Sequence, residues 1–236
     1  MEIDVCFSPA LYPAYHRAAA VVVVVDVFRA TTTLATAFAN GARSIFPVAT
    51  TAEAERYKAD GWLVGAERNV QRCPFADFGN SPFDYTPEKV AGKDLVFTTT
   101  NGTKALRCAQ AAYRVVTGAF VNLQAVADDC LREQRDVVAL CAGWEDKINL
   151  EDTLFGGALV EILQSRGYRP AGDAARIALA LWNEGKKDLP AYLARSEHIA
   201  RLNANGLEKD LSYCLTLNLT AIVPTLLRNG ELRIKS

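Results

Sequence analysis

Histidine is almost absent from this chain. His16 and His198 are the only two, and they are far apart in sequence. Histidine-based catalysis is therefore not indicated. His198 reads as a surface helix position, although Ser196 and Glu197 beside it could help it line a pocket. The six cysteines, at 6, 73, 108, 130, 141 and 214, form no C-x-x-C pair. Neither a zinc site nor a disulfide framework follows from them, and a reduced, cytoplasmic setting is expected. Excess charge of one sign is also missing. The net charge is −1, which argues against a nucleic-acid surface or an anionic membrane as partner. No long hydrophobic run occurs; Val21–Val25 is far too short to cross a bilayer. Residues 1–13 lack the basic and apolar regions of a signal peptide.

Familiar catalytic signatures are missing as well. Neither G-x-G-x-x-G nor G-x-x-x-x-G-K-[ST] is present, and there is no G-x-S-x-G elbow. A D-x-D loop fails because Phe28 stands where a second acid is needed after Asp26. Cys108 and Arg114 match a C-x5-R spacing, but they fall within an apparent helix and the intervening residues contain no glycine. Cys108 is read as a core residue.

What is present is organised around Val21–Gly41, VVVVVDVFRATTTLATAFANG. Five consecutive valines are apolar on both faces of a strand, as in a central strand of a parallel sheet covered by helices on both sides. Asp26 falls at the strand end. Arg29 and Thr31–Thr33 follow, then a helix to about Gly41. In open α/β sheets ligands bind at that crevice, where a helix N-terminus also favours anions.

The same strand, polar loop and helix order recurs at TTTNGT (residues 98–103) and at GWEDKINLEDT (residues 143–153). Other strands are expected at residues 1–7, 43–48, 62–64, 94–97, 113–117 and 136–141. Pro47 suggests an edge or a strand end. Helices are expected at 51–60, 121–133 and 153–165. Residues 65–87 read as the longest irregular segment. From about Asp173, expected to cap a helix through Glu184, the chain looks helical. The stretch 207–217 is amphipathic, with Asp210 and Tyr213 near one side, and short runs at 221–223 and 231–234 read as closing strands. The expected fold is one α/β domain over residues 1–236. It has three α/β/α layers, a largely parallel or mixed sheet and a helical C-terminal part.

Two hydroxyl-rich loops with an arginine make an anion site plausible, through Arg29, Thr31, Thr32 and the Thr99–Thr103 turn. Read blandly, the same threonines are helix caps and turns. Asp26, Glu67, Glu145, Asp146, Glu151 and Asp152 supply carboxylates without histidine, a donor set suited to Mg²⁺. Caps or solvated turns explain Glu145 and Asp146 better. Asp26, abutting a buried strand, needs a partner, and Arg29 is the nearest candidate.

Five stretches in order resemble the 2-phosphosulfolactate phosphatase (ComB-like) family. They are VVVVVDVFRATTTLATAFANGA, FGNSP at 78–82, TTNGT at 99–103, AGWEDK…LEDTLFGGAL over 142–159, and SEHIARLNANGLEKDLSYC. The family resemblance implies an α/β fold and a Mg²⁺-dependent phosphatase. The implied reaction converts 2-phospho-3-sulfolactate to sulfolactate and phosphate, a step towards coenzyme M. It implies metal ligation by some of Asp26, Glu67, Glu151 and Asp152. Phosphoryl oxygens would be held by Arg29 and by Thr99, Thr100, Asn101, Gly102 and Thr103. Asn80, Ser81 and Arg68 would face the sulfonate or carboxylate. Water attack is preferred over attack by Asp26. The family tends to read Gly-Glu-Arg followed by glycines before FGNSP, whereas this chain has Gly65-Ala66-Glu67-Arg68-Asn69-Val70. That departure bears on substrate identity. Two rival readings use the same loops: a non-catalytic binder of a small phosphorylated or sulfonated acid, and a mutase that releases no phosphate. A homo-oligomer stays open.

Overall fold

The structure is a computed structural model that describes residues 1–234. In chain order it contains β1 (Glu2–Cys6), α1 (Tyr12–Tyr15), β2 (Val21–Val25), α2 (Ala30–Ala39), β3 (Ser44–Pro47) and α3 (Thr51–Ala59). Next come β4 (Leu63–Arg68), β5 (Gln71–Arg72), α4 (Pro87–Val90), β6 (Asp94–Thr98), α5 (Gly102–Ala109) and β7 (Arg114–Gly118). Then follow α6 (Leu123–Glu133), β8 (Val137–Cys141), α7 (Leu150–Gln164), β9 (Arg169–Pro170), α8 (Gly172–Gly185) and α9 (Leu189–Leu193). The chain ends with α10 (Glu197–Asn203), α11 (Glu208–Cys214), β10 (Pro224–Leu226) and β11 (Leu232–Ile234).

The valine run behaves as its composition requires. All five residues of β2 are fully buried. Val21, Val23 and Val25 pack into the core formed with α6, α7 and α8, while Val22 and Val24 enter the opposite core with α2 and α5. Each such valine contributes roughly 1.5–3 kcal/mol on burial. Thus β2 is sandwiched between two helical layers and flanked in parallel by β7 and β8.

The sheet runs β5-β4-β6-β3-β11-β10-β7-β2-β8-β1-β9. It consists of two parallel groups, β4–β6–β3 and β7–β2–β8–β1–β9, joined by the hairpin of β10 and β11. The hairpin is antiparallel to both neighbours, with Thr225 opposite Val116 and Leu232 opposite Ile45. The expected mixed, three-layer architecture is therefore present.

Several local expectations are corrected. Residues 65–87 are not irregular throughout: β4 continues to Arg68 and pairs with β5 across a tight turn. Asn69 and Val70 in that turn have φ of 51° and 71°, an uncommon conformation for a β-branched residue. Helix α7 starts at Leu150, so Glu151 and Asp152 lie in its first turn, where the helix dipole favours acids. β3 is an interior strand. Pro47 nonetheless sits at a strand end, as expected: it is the last residue of β3, and β11 pairs only with Ile45. Thr50, just before the expected helix start, caps α3 by accepting from Glu53 N–H. Asp173 does not cap α8; it is exposed and pairs with Arg176. Among the described residues no helix is long and apolar enough to cross a membrane.

Candidate active site

The carboxyl ends of β2, β4, β6 and β8 deliver residues to one small, half-open cavity. Asp26 follows β2, Glu67 comes from β4, Thr99 and Asn101 follow β6, and Trp144 follows β8. Asn80 and His198 complete the wall at its polar side.

Asp26 begins a turn that is knitted from within. Its N–H donates to Thr31 Oγ1 (3.0 Å), and Thr31 Oγ1 lies 2.9 Å from Asp26 O and 2.7 Å from Gly118 O. Thr32 Oγ1 donates to Val27 O at 2.9 Å. Thr31 and Thr32 are thus buried stitches of the turn, with their hydroxyls spent on backbone. The bland reading of these threonines is the better one. The peptide bond between Phe28 and Arg29 is cis.

The β6–α5 turn behaves differently. Thr103 Oγ1 donates to Thr99 O at 2.9 Å and braces the turn. The hydroxyls of Thr99 and Thr100, however, are buried without any partner, and so is Asn80 Oδ1. Buried polar atoms are normally satisfied, so such orphans mark a place for a ligand or water. Gly102 allows the turn to approach Asp26: a Cβ there would lie 2.9 Å from Asp26 Oδ2 and 2.7 Å from the Ala30 Cβ. Asn101 Oδ1 accepts from Glu145 N–H at 3.4 Å.

The arginines named from the sequence are already engaged. Arg29 Nη1 donates to Asp210 Oδ2 at 2.6 Å, and Nη2 donates to Val70 O at 3.3 Å. Asp210 Oδ1 accepts from Ser81 Oγ at 2.7 Å. Arg68 donates to Glu67 O and to Thr98 Oγ1. Arg29 lines the cavity; Arg68 and Ser81 do not.

The four carboxylates divide into two pairs. Asp26 and Glu67 line the cavity, and each accepts one backbone N–H, from Ala30 and Val70 respectively. Each keeps its second oxygen without a hydrogen bond. Burial pushes the Asp26 carboxyl up to about 6, opposed by the His198 ring and the Ala30 N–H and reinforced by Glu67 and Glu151. The other pair is turned elsewhere. Asp152 accepts from Val27 N–H (2.9 Å) and Gly143 N–H (3.1 Å), while burial and then the Glu151 and Asp26 charges hold its carboxyl well above the usual range. Glu151, fully buried, lies 2.6 Å from His198 Nδ1 and accepts from Ser196 Oγ at 3.4 Å.

His198 is therefore a residue the sequence reading misplaced. It is 6% exposed, packs edge-on against Phe28 and lines the cavity. An isolated histidine has no spacing signal, and its partner Glu151 is 47 positions away. The sequence leaves His198 a place in a pocket wall only through its polar neighbours Ser196 and Glu197, and Ser196 contacts the same Glu151.

A sequence model of the family described as 2-phosphosulpholactate phosphatase matches residues 6–229. The chain belongs to that family. A relative from Thermotoga petrophila is 38% identical over 99% of this chain and 98% of its own length. One from Carboxydothermus hydrogenoformans is 39% identical over 100% and 98%. A third, from Caldanaerobacter subterraneus, is 38% identical over 90% and 89%. Each of the three bears the name "Probable 2-phosphosulfolactate phosphatase".

In this 2-phosphosulpholactate phosphatase family member, the donor set can be tested for a divalent ion. No group of three or more His, Cys, Asp or Glu side chains forms a metal cage among the described residues. Mg²⁺ does not require one, since it commonly takes one or two carboxylates and fills the remaining positions with water and substrate oxygens. The spare oxygens of Asp26 and Glu67, in a cavity also lined by the orphaned Thr99 hydroxyl, fit that demand.

Proposed function

We propose that this chain is a phosphoric monoester hydrolase that cleaves 2-phospho-3-sulfolactate, or a closely related small phosphorylated acid, to the hydroxy acid and phosphate, with Mg²⁺ as cofactor. The observation that carries this reading is the convergence in one cavity of two carboxylates with spare oxygens and the unpartnered hydroxyl of Thr99. A plain anion binder gains nothing from carboxylates beside a phosphate. The names of the relatives supply the substrate class.

Mg²⁺ held by Asp26 and Glu67 would neutralise charge on the phosphoryl oxygens. The Thr99 hydroxyl and the Asn80 Nδ2 would donate to those oxygens as they gain charge. Arg29, locked by Asp210, presents a fixed positive field beside them. The Nδ1–H of His198 is held by Glu151, and Nε2 gives a proton to the ester oxygen as its bond to phosphorus breaks. Water attacks phosphorus from the opposite side, so the products are the hydroxy acid and phosphate. Asp152 fixes the Val27 and Gly143 backbone that shapes the turn. A reducing, cytoplasmic setting goes with this reading, since all six cysteines are free and five are buried.

The test is phosphate release from racemic 2-phosphosulfolactate and from other phospho-acids, with Mg²⁺ and with EDTA. Metal-dependent release with preference for the sulfonate is expected. Release only from other phospho-acids would retain the chemistry and discard the named substrate. Ligand-induced thermal stabilisation without any release would favour the binding protein.

A further inference from the structure

A second cavity adjoins the first, and the proposed chemistry does not use it. The two share Trp144 and His198. Lys147, Arg195 and Arg201 bring three cations to its wall, against Glu145 and Glu197. Among the described residues none of the three cations is in a salt bridge. Arg195 lies over the Tyr192 ring at 4.2 Å. Arg201 lies over the Trp144 ring at 4.0 Å, and its Nε is buried with no hydrogen-bond partner.

This contrasts with the arginines of the first cavity region. Arg29 is engaged by Asp210 and Val70, and Arg68 by Glu67 and Thr98, so in each both terminal nitrogens already donate to protein acceptors. Arg201 is three residues after His198 on α10, so the two share one helix face. The indole beneath Arg201 holds the guanidinium plane and keeps water from one side of it. A buried guanidinium N–H without an acceptor is a costly arrangement unless a ligand supplies one. Carboxylate and sulfonate both present paired oxygens that match the guanidinium fork.

We propose that Arg201, laid on Trp144, binds the second acidic group of the substrate, a carboxylate or sulfonate, and so selects phosphate esters of small acids over phosphate esters that carry no other charge. Lys147 and Arg195 surround the approach to it. The proposal rests on the hydrolase reading of the Asp26 cavity.

The experiment compares kcat/KM for 2-phosphosulfolactate and for propyl phosphate in the wild type, Arg201→Gln and Arg201→Lys. Calorimetric titration of each protein with sulfolactate provides a readout independent of turnover. The preference for the acid-bearing ester is expected to fall about 10- to 100-fold in Arg201→Gln, the usual loss for a hydrogen bond between charged groups. Arg201→Lys should recover part of it, and sulfolactate binding should weaken in parallel. An unchanged preference in a folded Arg201→Gln protein overturns the proposal. So does an equal loss on both esters with unaltered sulfolactate binding. If the wild type releases no phosphate from any ester but binds sulfolactate through Arg201, the hydrolase reading fails and the subsite stands.

Discussion

Arg29 and Asp210 are 181 positions apart, yet their side chains meet at 2.6 Å and both are almost fully buried. This contact ties α11, in the helical tail, to the turn that carries Asp26. The other Asp210 oxygen accepts from Ser81, so one carboxylate joins three segments at the cavity wall. The tail thereby holds the shape of the site.

Asp210→Asn should therefore be costly. It leaves the Arg29 guanidinium buried without its counter-charge, a loss of roughly 3–5 kcal/mol for a broken buried pair. Urea denaturation measures it. The double variant Arg29→Met/Asp210→Leu should be less destabilised than Asp210→Asn alone. A single variant within about 0.5 kcal/mol of wild type would show the pair to be energetically idle.

Asp26→Asn is expected to abolish phosphate release while preserving the fold. It should also change how stability depends on pH, measured in EDTA. Burial keeps the Asp26 carboxyl protonated up to about 6, so the folded state holds this proton more tightly than the unfolded state does. Its stabilising contribution is complete below the ordinary carboxylate range and is lost as pH rises to about 6. The asparagine variant escapes that loss. Its stability relative to wild type should rise between pH 4 and pH 7 by on the order of 3 kcal/mol. Parallel stability curves would count against the burial effect, and retained turnover against the assignment of Asp26.

Glu151→Gln and His198→Ala should act on one function. Each is expected to lower kcat about 100-fold or more, in the range of a lost general acid. The double variant should be little worse than His198→Ala, because Glu151 acts through the ring. Multiplicative losses in single-turnover kinetics would separate the two residues.

Gly102→Ala adds a methyl group where the Ala30 Cβ would lie at 2.7 Å and Asp26 Oδ2 at 2.9 Å. Overpacking of this kind costs typically 1–3 kcal/mol. Here it should also push the Thr99–Thr100 turn away from Asp26. A drop in kcat/KM larger than the drop in stability is the expected pattern, read from kinetics and thermal melts together. Wild-type kinetics would mean that the close approach has no bearing on catalysis.

The two-sided burial of β2 was legible because five β-branched residues without a polar break leave a strand no wet face. The position of Asp26 at the strand end followed from that, and so did the hydroxyl turn after β6. The roles of individual side chains were less legible. Thr31 and Arg68 have donors suited to phosphate, yet each spends them on protein groups close by. Nothing in a linear spacing announces that choice. His198 and Asp210 depend on contacts with Glu151 and Arg29, which the fold alone brings near. The run at 231–234 does form β11, but β10 lies at 224–226 rather than 221–223, and the insertion of both strands between the parallel groups was hidden, since three-residue segments carry almost no periodicity.

Those two strands fill the seam between the parallel groups of the sheet. During synthesis they leave the ribosome after every other strand, so β3 and β7 wait with unpaired edges until the hairpin arrives. The nascent chain can assemble each parallel group early but cannot close the sheet until then, and exposed edges of this kind invite pairing with other chains. A chain stopped before residue 224 would thus hold two half-sheets, each with an open edge.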